Sequence, residues 1–292
     1  MKLSELEKAI IRGMEATKQA TVAGFGKAKA MSKSSGDNVA SRTLSATDIQ
    51  NQLTILEEVH MVAPDITISV EECLETPTQL QNKFYANMDA RVMLMLDPLD
   101  GSHAYTQKKS TWYGEIAGVV ERVANDKGMI TSAIVFYPHH GLWLLAKPGS
   151  VEWFDGTSVL VCEPSPCQLN QPYSTIFVYD HTRLRLNQEV TIRAELYSIT
   201  EMLIKLVRGE ITGFLSARGH FYDNTVGIWI AQQLGFKVEY ASGEQFSGIV
   251  PFGDIVREGK RVAPRDEQGL IIVGKYNDAW FERYKRAYIG QK

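Results

Sequence analysis

A chain of 292 residues, 44% apolar and 22% charged, has enough apolar surface for a sizeable core, as one large domain or two packed halves. Its formal charge of −3 offers no broad basic field, which argues against a nucleic-acid polymer or an anionic membrane surface as partner. No segment nears the ~20 apolar residues of a membrane span and the first residues carry no apolar signal core. Cys73, Cys162 and Cys167 lack metal-ligand spacing, so the expectation is reduced thiols in a cytoplasmic protein.

Ser4-Glu5-Leu6-Glu7 is a capping-box pattern, and Leu6, Ile10, Ile11 and Met14 then recur on one helical face. This helix is expected to run to about Ala30, before the break at Ser34-Ser35-Gly36. Ser45-Ala46-Thr47-Asp48 opens a second helix with Ile49, Leu53, Leu56 and Val59 on one side. After Pro64, residues 66–70 read as a short strand that delivers Glu71-Glu72 to its end. Strand-like runs follow at 92–96, 115–120, 129–137 and 141–145. The stretch from Asp155 to Pro172 is loop-rich, and the boundary between two halves is expected near it. The second half alternates strand 175–179, helix 195–208, strand 211–215, helix 223–234 and strand 236–240. A late strand at 270–273 and a closing helix over 277–288 complete it. Such alternation indicates layered α/β architecture. No internal repeat or low-complexity segment is present.

The most informative stretch is Asp97-Pro98-Leu99-Asp100-Gly101-Ser102, entered from the apolar run Val92–Leu96. Carboxylates at the end of a buried strand are costly to desolvate without a cation. Mg²⁺ takes oxygen ligands and binds through a few carboxylates plus substrate phosphate oxygens. Pro98 stiffens the turn, Gly101 permits close backbone approach, and the Gly101 and Ser102 amides would form an anion site if a helix follows. A lone Asp-Pro turn would be no more than a helix cap; the whole hexapeptide behind an apolar run points to metal-assisted phosphoryl chemistry. Three more acidic positions share the setting: Asp48 and Asp223 at helix starts, and Glu71 at a strand exit. Each also has a structural reading, Asp48 and Asp223 as residues favoured by a helix dipole and Glu71-Glu72 as a solvated strand end.

Together these positions resemble the inositol monophosphatase family. Lys33-Ser34-Ser35 with Ala46-Thr47-Asp48 looks like its early segment, and Val70-Glu71-Glu72 like its Gly-Glu-Glu strand end. Leu96 through Ser102 resembles the signature Asp-Pro-hydrophobic-Asp-Gly followed by Thr or Ser. Tyr222-Asp223-Asn224-Thr225-Val226-Gly227 resembles Trp-Asp-x-x-x-Gly, and Gln233-Leu234-Gly235 resembles the Glu-Ala-Gly closing its helix. The resemblance implies an α/β (α+β) fold, a layered α-β-α-β-α sandwich. It further implies one catalytic unit over 1–292 with halves near 1–155 and 156–292, and a homodimer. It implies two or three Mg²⁺: Glu71, Asp97 and the Leu99 carbonyl for the first, Asp97, Asp100 and Asp223 for the second, Glu71 with waters for a weaker third. Ser102, hydrogen-bonded toward Asp48, would orient the attacking water, and the amides of Gly101 and Ser102 would hold phosphate oxygens.

The departures from the pattern bear on substrate. Ser102 replaces the commoner Thr but keeps a hydroxyl. The segment between Lys33 and Asp48 is longer than in the inositol enzymes and carries Arg42. Ser216 stands where inositol-specific members place a Glu, and Tyr197, Ser198 and Ile199 replace the small Gly-Thr-Ala of the inositol pocket, Ile199 adding bulk to that wall. Arg218 and His220 stand where a second anionic group could be met, or face solvent. The implied partner is a small phosphate ester, an inositol or sugar phosphate, with a 3′(2′),5′-bisphosphate nucleotide as the alternative. A fructose bisphosphatase shares the first signature but has a longer C-terminal half. A non-catalytic regulatory protein on this fold is the rival of another class, against which the intact Glu71, Asp97, Asp100 and Asp223 argue.

Overall fold

The computed structural model describes residues 3–32, 43–72, 78–87, 89–155, 159–161, 176–178, 184–186, 192–193, 198–211, 213–217, 221–257, 260–262, 270–274 and 288–291. Lys33-Ser34-Ser35, Arg42, the three cysteines, Tyr197, Arg218, His220, most of the 155–172 boundary and nearly all of the expected closing helix lie outside them.

Helix α1 (Glu5–Gly24) starts on the expected box, Ser4 accepting from the Glu7 N–H while Glu7 reaches back to Ser4 N–H at 2.6 Å. It ends short of Ala30. The chain turns at Phe25, Gly26 adopts φ +66°, and Phe25 leaves the helix line to pack on Tyr105 and Tyr113. A two-residue ladder, β1 (Met31–Ser32) with β2 (Thr43–Leu44), leads to α2 (Ala46–Val62), whose N-cap is Ser45 with Asp48 completing the box. Next come β3 (Thr67–Val70), α3 (Gln79–Tyr85), β4 (Val92–Asp100), the single turn α4 (Ser102–Thr106), β5 (Gly114–Ala124), β6 (Lys127–Tyr137), β7 (Leu142–Lys147), β8 (Ser150–Phe154) and β9 (Val159–Val161). Helix α3 and strands β8 and β9 were not expected.

Strands β3 to β9 form one sheet in chain order, antiparallel except for the parallel β3–β4 pair. That exception brings two strand C-termini side by side, Val70 against Leu96. Helices α1 and α2 cover one face, with Ile10, Met14, Ile55, Leu56 and Val59 packed on Ile68, Leu94, Leu96 and Ala117.

The second half contributes β10 (Ile176–Val178), β11 (Leu184–Leu186), β12 (Ile192–Arg193), α5 (Ile199–Val207), β13 (Gly213–Ala217), a π-type turn at Phe221–Thr225, α6 (Val226–Gln233), β14 (Lys237–Tyr240), β15 (Ile249–Pro251), β16 (Ile255–Arg257), β17 (Lys260–Val262), β18 (Leu270–Gly274) and β19 (Tyr288–Gln291). A second sheet runs β12-β10-β13-β18-β14. Helices α5 and α6 lie between the two sheets: Met202, Leu203, Val226 and Ile230 share one core with Met95 and Val135 of the first and Phe214 and Val273 of the second. The described layers run helix, sheet, helix, sheet, the first four of the expected α-β-α-β-α sandwich, and the closing helix expected over 277–288 lies almost wholly outside the described residues. Among the described residues no helix is long and apolar enough to cross a membrane.

Candidate functional site

The site forms where β3 and β4 end. Glu71 leaves β3 with its N–H on the Leu96 carbonyl at 3.0 Å, which sets it beside Asp97. Asp97 holds the turn that follows by accepting from Leu99 N–H at 2.9 Å. Asp100 closes β4, and Gly101 follows at φ +94°, a left-handed conformation that glycine adopts without strain. A Cβ there would also lie 3.0 Å from Ser198 Cβ. Asp223 arrives from the other half, on a π-type turn that runs directly into α6, close to the helix start expected for it. Such turns replace regular helix pairing and recur at functional sites.

Asp97, Asp100 and Asp223 are buried, and one carboxylate oxygen from each falls within 4.8 Å of the others. Asp48, Glu71 and Glu72 form a second such group. Burial pushes Asp97 and Asp223 well above the ordinary carboxylate range, and repulsion from Glu71 and Asp100 adds to it. Asp100 is pushed up to about 7 by burial, against the opposing pull of the Thr200 N–H, which donates to its Oδ2 at 2.6 Å. Burial, then Glu71, Asp223 and Asp97, likewise push the Tyr222 hydroxyl up. Among the described residues no Lys or Arg side chain pairs with Asp97, Asp100 or Asp223. Three buried, mutually repelling carboxylates at this spacing fit the oxygen-donor set that a hard divalent cation takes.

Beside them, Ser102 Oγ meets Asp48 Oδ1 in a short hydrogen bond and the Leu99 carbonyl at 2.8 Å. Asp48 Oδ2 is taken by Ser45, from its N–H at 2.8 Å and its hydroxyl at 2.5 Å. Asp48 therefore does both jobs weighed for it, capping α2 and gripping Ser102. Ser198 caps α5, accepting from Glu201 N–H at 3.0 Å, and stands over Gly101. Ser216 lies on β13, buried, with its hydroxyl on Asn224 Oδ1 at 2.9 Å, beside Asp223. Ile199 departs from expectation. Its side chain packs on α6, where a Cβ on Gly227 would run into Ile199 Cγ1, so its bulk goes into the core and not onto a pocket wall.

Sequence reasoning missed Thr200, whose N–H holds a candidate ligand. The signal was there in Ser198-Ile199-Thr200, two hydroxyl residues at a helix start. It also missed Asn51 and Glu115, both buried next to the turn; a single Glu opening an apolar strand was the visible mark.

No protein-family model and no curated protein matches the sequence. Solved structures do match. A staphylococcal inositol monophosphatase (IMPase) complexed with products is 14% identical over 100% of this chain and 99% of that one, with a TM-score of 0.68. A Thermotoga maritima IMPase is 15% identical over 94% of each chain at 0.67. An IMPase/NADP phosphatase complexed with Mg²⁺ and phosphate is 13% identical over 98% of this chain and 96% of that one at 0.66. Likeness over nearly the whole length, on top of the layered sheets and helices described above, gives the protein the inositol monophosphatase fold.

Proposed function

We propose that this chain is a Mg²⁺-dependent phosphomonoesterase, with residues 1–292 as one catalytic unit. The observation that carries the reading is the convergence of buried Asp97, Asp100 and Asp223 next to the Asp48–Ser102 pair. Glu71, Asp97, Asp100, Asp223 and the Leu99 carbonyl would hold the ions, two or three of them. Mg²⁺ bound there supplies charge neutralisation of the phosphoryl oxygens and a lowered pKa for water. The residues do the rest. Ser102 orients the attacking water, and Asp48, fixed by Ser45, draws the proton of the Ser102 hydroxyl toward itself. The backbone of Gly101 and Ser102 meets the phosphate oxygens, an approach for which Gly101 is suited by its missing Cβ. No covalent intermediate is needed, so Ser102 is not a nucleophile.

For the substrate we propose a small polar ester with a second anionic group. Ser216 in place of a Glu supplies neither charge nor reach toward a ring of hydroxyls, and its hydroxyl is engaged with Asn224. Arg218, just ahead of Asp223 in the sequence, is the proposed partner of the second anion. Among the structural neighbours stand both IMPases and an IMPase/NADP phosphatase, so the fold itself accommodates either class of ester. Phosphate release from inositol 1-phosphate, sugar phosphates and adenosine 3′,5′-bisphosphate tests both levels. Activity should vanish in excess chelator, return with Mg²⁺ and be inhibited by Ca²⁺, whose longer, irregular coordination misplaces the water. Undiminished release in chelator overturns the metal reading. A clear preference for inositol 1-phosphate, or unchanged substrate ratios in Arg218→Ala, overturns only the substrate reading.

A further inference from the structure

The β4–β5 pairing slips between Asp97–Ile116 and Asp100–Gly114, so Pro98 and Leu99 stand opposite one residue, Glu115. A bulge bends its strand and leaves a peptide without its ladder partners. Here that peptide joins two carboxylates of the site. The Pro98 carbonyl finds its donor off the sheet, in Asn51 Nδ2 of α2 at 3.2 Å. The same amide nitrogen, whose two hydrogens are shared among three acceptors, also lies 3.0 Å from Thr21 Oγ1 and 3.2 Å from Glu115 Oε1, while Thr17 Oγ1 donates to Glu115 Oε1 at 2.6 Å. Asn51 lies one helical turn beyond Asp48, so a single helix grips both ends of the turn: Ser102 through Asp48, Pro98 through Asn51.

This cluster is a costly way to fill space. Glu115 and Asn51 have 0% and 1% of their surface exposed, and Glu115 Oε2 has no hydrogen-bond partner among the described residues. Apolar side chains of similar size would pack there without desolvating a carboxyl group. Burial holds the Glu115 carboxyl well above the ordinary range, which favours its neutral form, and glutamine copies that form's shape and its carbonyl acceptor.

We propose that Asn51, held by Glu115, Thr17 and Thr21, is a positioning residue that fixes the Asp97–Asp100 bulge and thereby the spacing of the oxygens offered to the metal. The proposal rests on the metal-dependent reading above. Partners that orient metal ligands typically carry a 10–100-fold share of metal affinity.

The test is Mg²⁺ binding to the metal-stripped full chain by calorimetry, with melting in chelator as the check of folding. Asn51→Leu and Glu115→Leu should each weaken Mg²⁺ by at least roughly tenfold. Glu115→Gln should stay within about threefold of native, because it keeps the acceptor toward Asn51 and Thr17. The double Leu variant should bind no more weakly than the worse single, since the two act as one unit. In phosphate release, the Mg²⁺ requirement should rise while KM for the ester at saturating Mg²⁺ holds. Native-like Mg²⁺ affinity in either folded Leu variant overturns the proposal, as does Glu115→Gln being as damaging as Glu115→Leu. Should Asn51→Leu not fold, the two Glu115 variants decide by the same criterion. A native chain that binds Mg²⁺ but cleaves no ester sinks the phosphatase reading and leaves this one to the binding data; a native chain that binds no Mg²⁺ overturns both.

Discussion

Replacing Asp100 by Asn should stabilise the metal-free protein while disabling it. Asp100 is pushed from an ordinary 3.8 up to about 7, with burial the largest cause. The native state therefore holds this proton more tightly than the unfolded chain does. As pH rises through the interval between those values, the unfolded state releases its proton first, so stability falls and stays low above about 7. At about 1.4 kcal/mol per pH unit, this one carboxyl removes on the order of 4 kcal/mol by pH 8. Asn is isosteric, uncharged, and keeps an oxygen for the Thr200 N–H that Asp100 Oδ2 now accepts. For a chain of this size each kcal/mol moves Tm by roughly 2 °C, so Asp100→Asn in chelator at pH 8 should melt several degrees above native. At pH 5, still above the unfolded value of 3.8, the gap should shrink to less than half of that at pH 8. Mg²⁺ should raise the native Tm at pH 8 by more than the variant's, which lacks a ligand of the second ion but keeps those proposed for the first. Thermal melts by circular dichroism at the two pH values, with chelator and with Mg²⁺, read all of this. If the variant melts at or below the native temperature at pH 8 in chelator, Asp100 is not destabilised where it stands, and the inference from carboxylate crowding to a cation falls.

Asp97→Asn and Asp223→Asn should each lose turnover by roughly a hundredfold or more with the fold intact, since each removes a ligand from ions that carry several kcal/mol of transition-state stabilisation. Asp97, which faces Glu71 on one side and Asp100 on the other, should be the worse, and near-native phosphate release by Asp97→Asn at saturating Mg²⁺ would contradict its central place. Gly227→Ala sets a Cβ against Ile199 Cγ1 and should cost about 1–3 kcal/mol in urea denaturation. Ile199→Ala should cost less in the Gly227→Ala background than in the native chain; strictly additive costs would mean that Ile199 is not what fills the space over Gly227.

Much of the site was legible because chemistry forces its residues to recognisable places. A carboxylate that serves a cation stands at an element end, and Asp48, Glu71, Asp97 and Asp100 each follow or precede an apolar run that betrays the element. Ser102 for Thr and Tyr222 for Trp keep the hydroxyl and the bulk, so the short signatures survive in a chain whose intervening core needs only size and apolarity. Helix α1 was read too long because a Gly inside a helical pattern is ambiguous, and only the fold places Phe25 against Tyr105. Helix α3 opens on the Thr78-Gln79-Leu80-Gln81 box, a local signal that is formed in the structure. The direction of Ile199 and the meeting of Asn51 with Pro98 have no local signature. Both depend on which helix face meets which strand, a property of packing between distant segments.

The arrival of Asp223 from the second half has a kinetic consequence. Glu71, Asp97 and Asp100 lie on adjacent strands, but the site closes only when the turn at Phe221–Thr225 docks against β4, far along the chain. Loop-closure entropy must be met before so distant a contact forms, so a late step in folding completes the ligand set. An ion bound to that set stabilises interactions absent from the folding transition state. Its effect would therefore fall on the unfolding rate: Mg²⁺, if it is the ion held there, would lengthen the lifetime of the native state without hastening its formation.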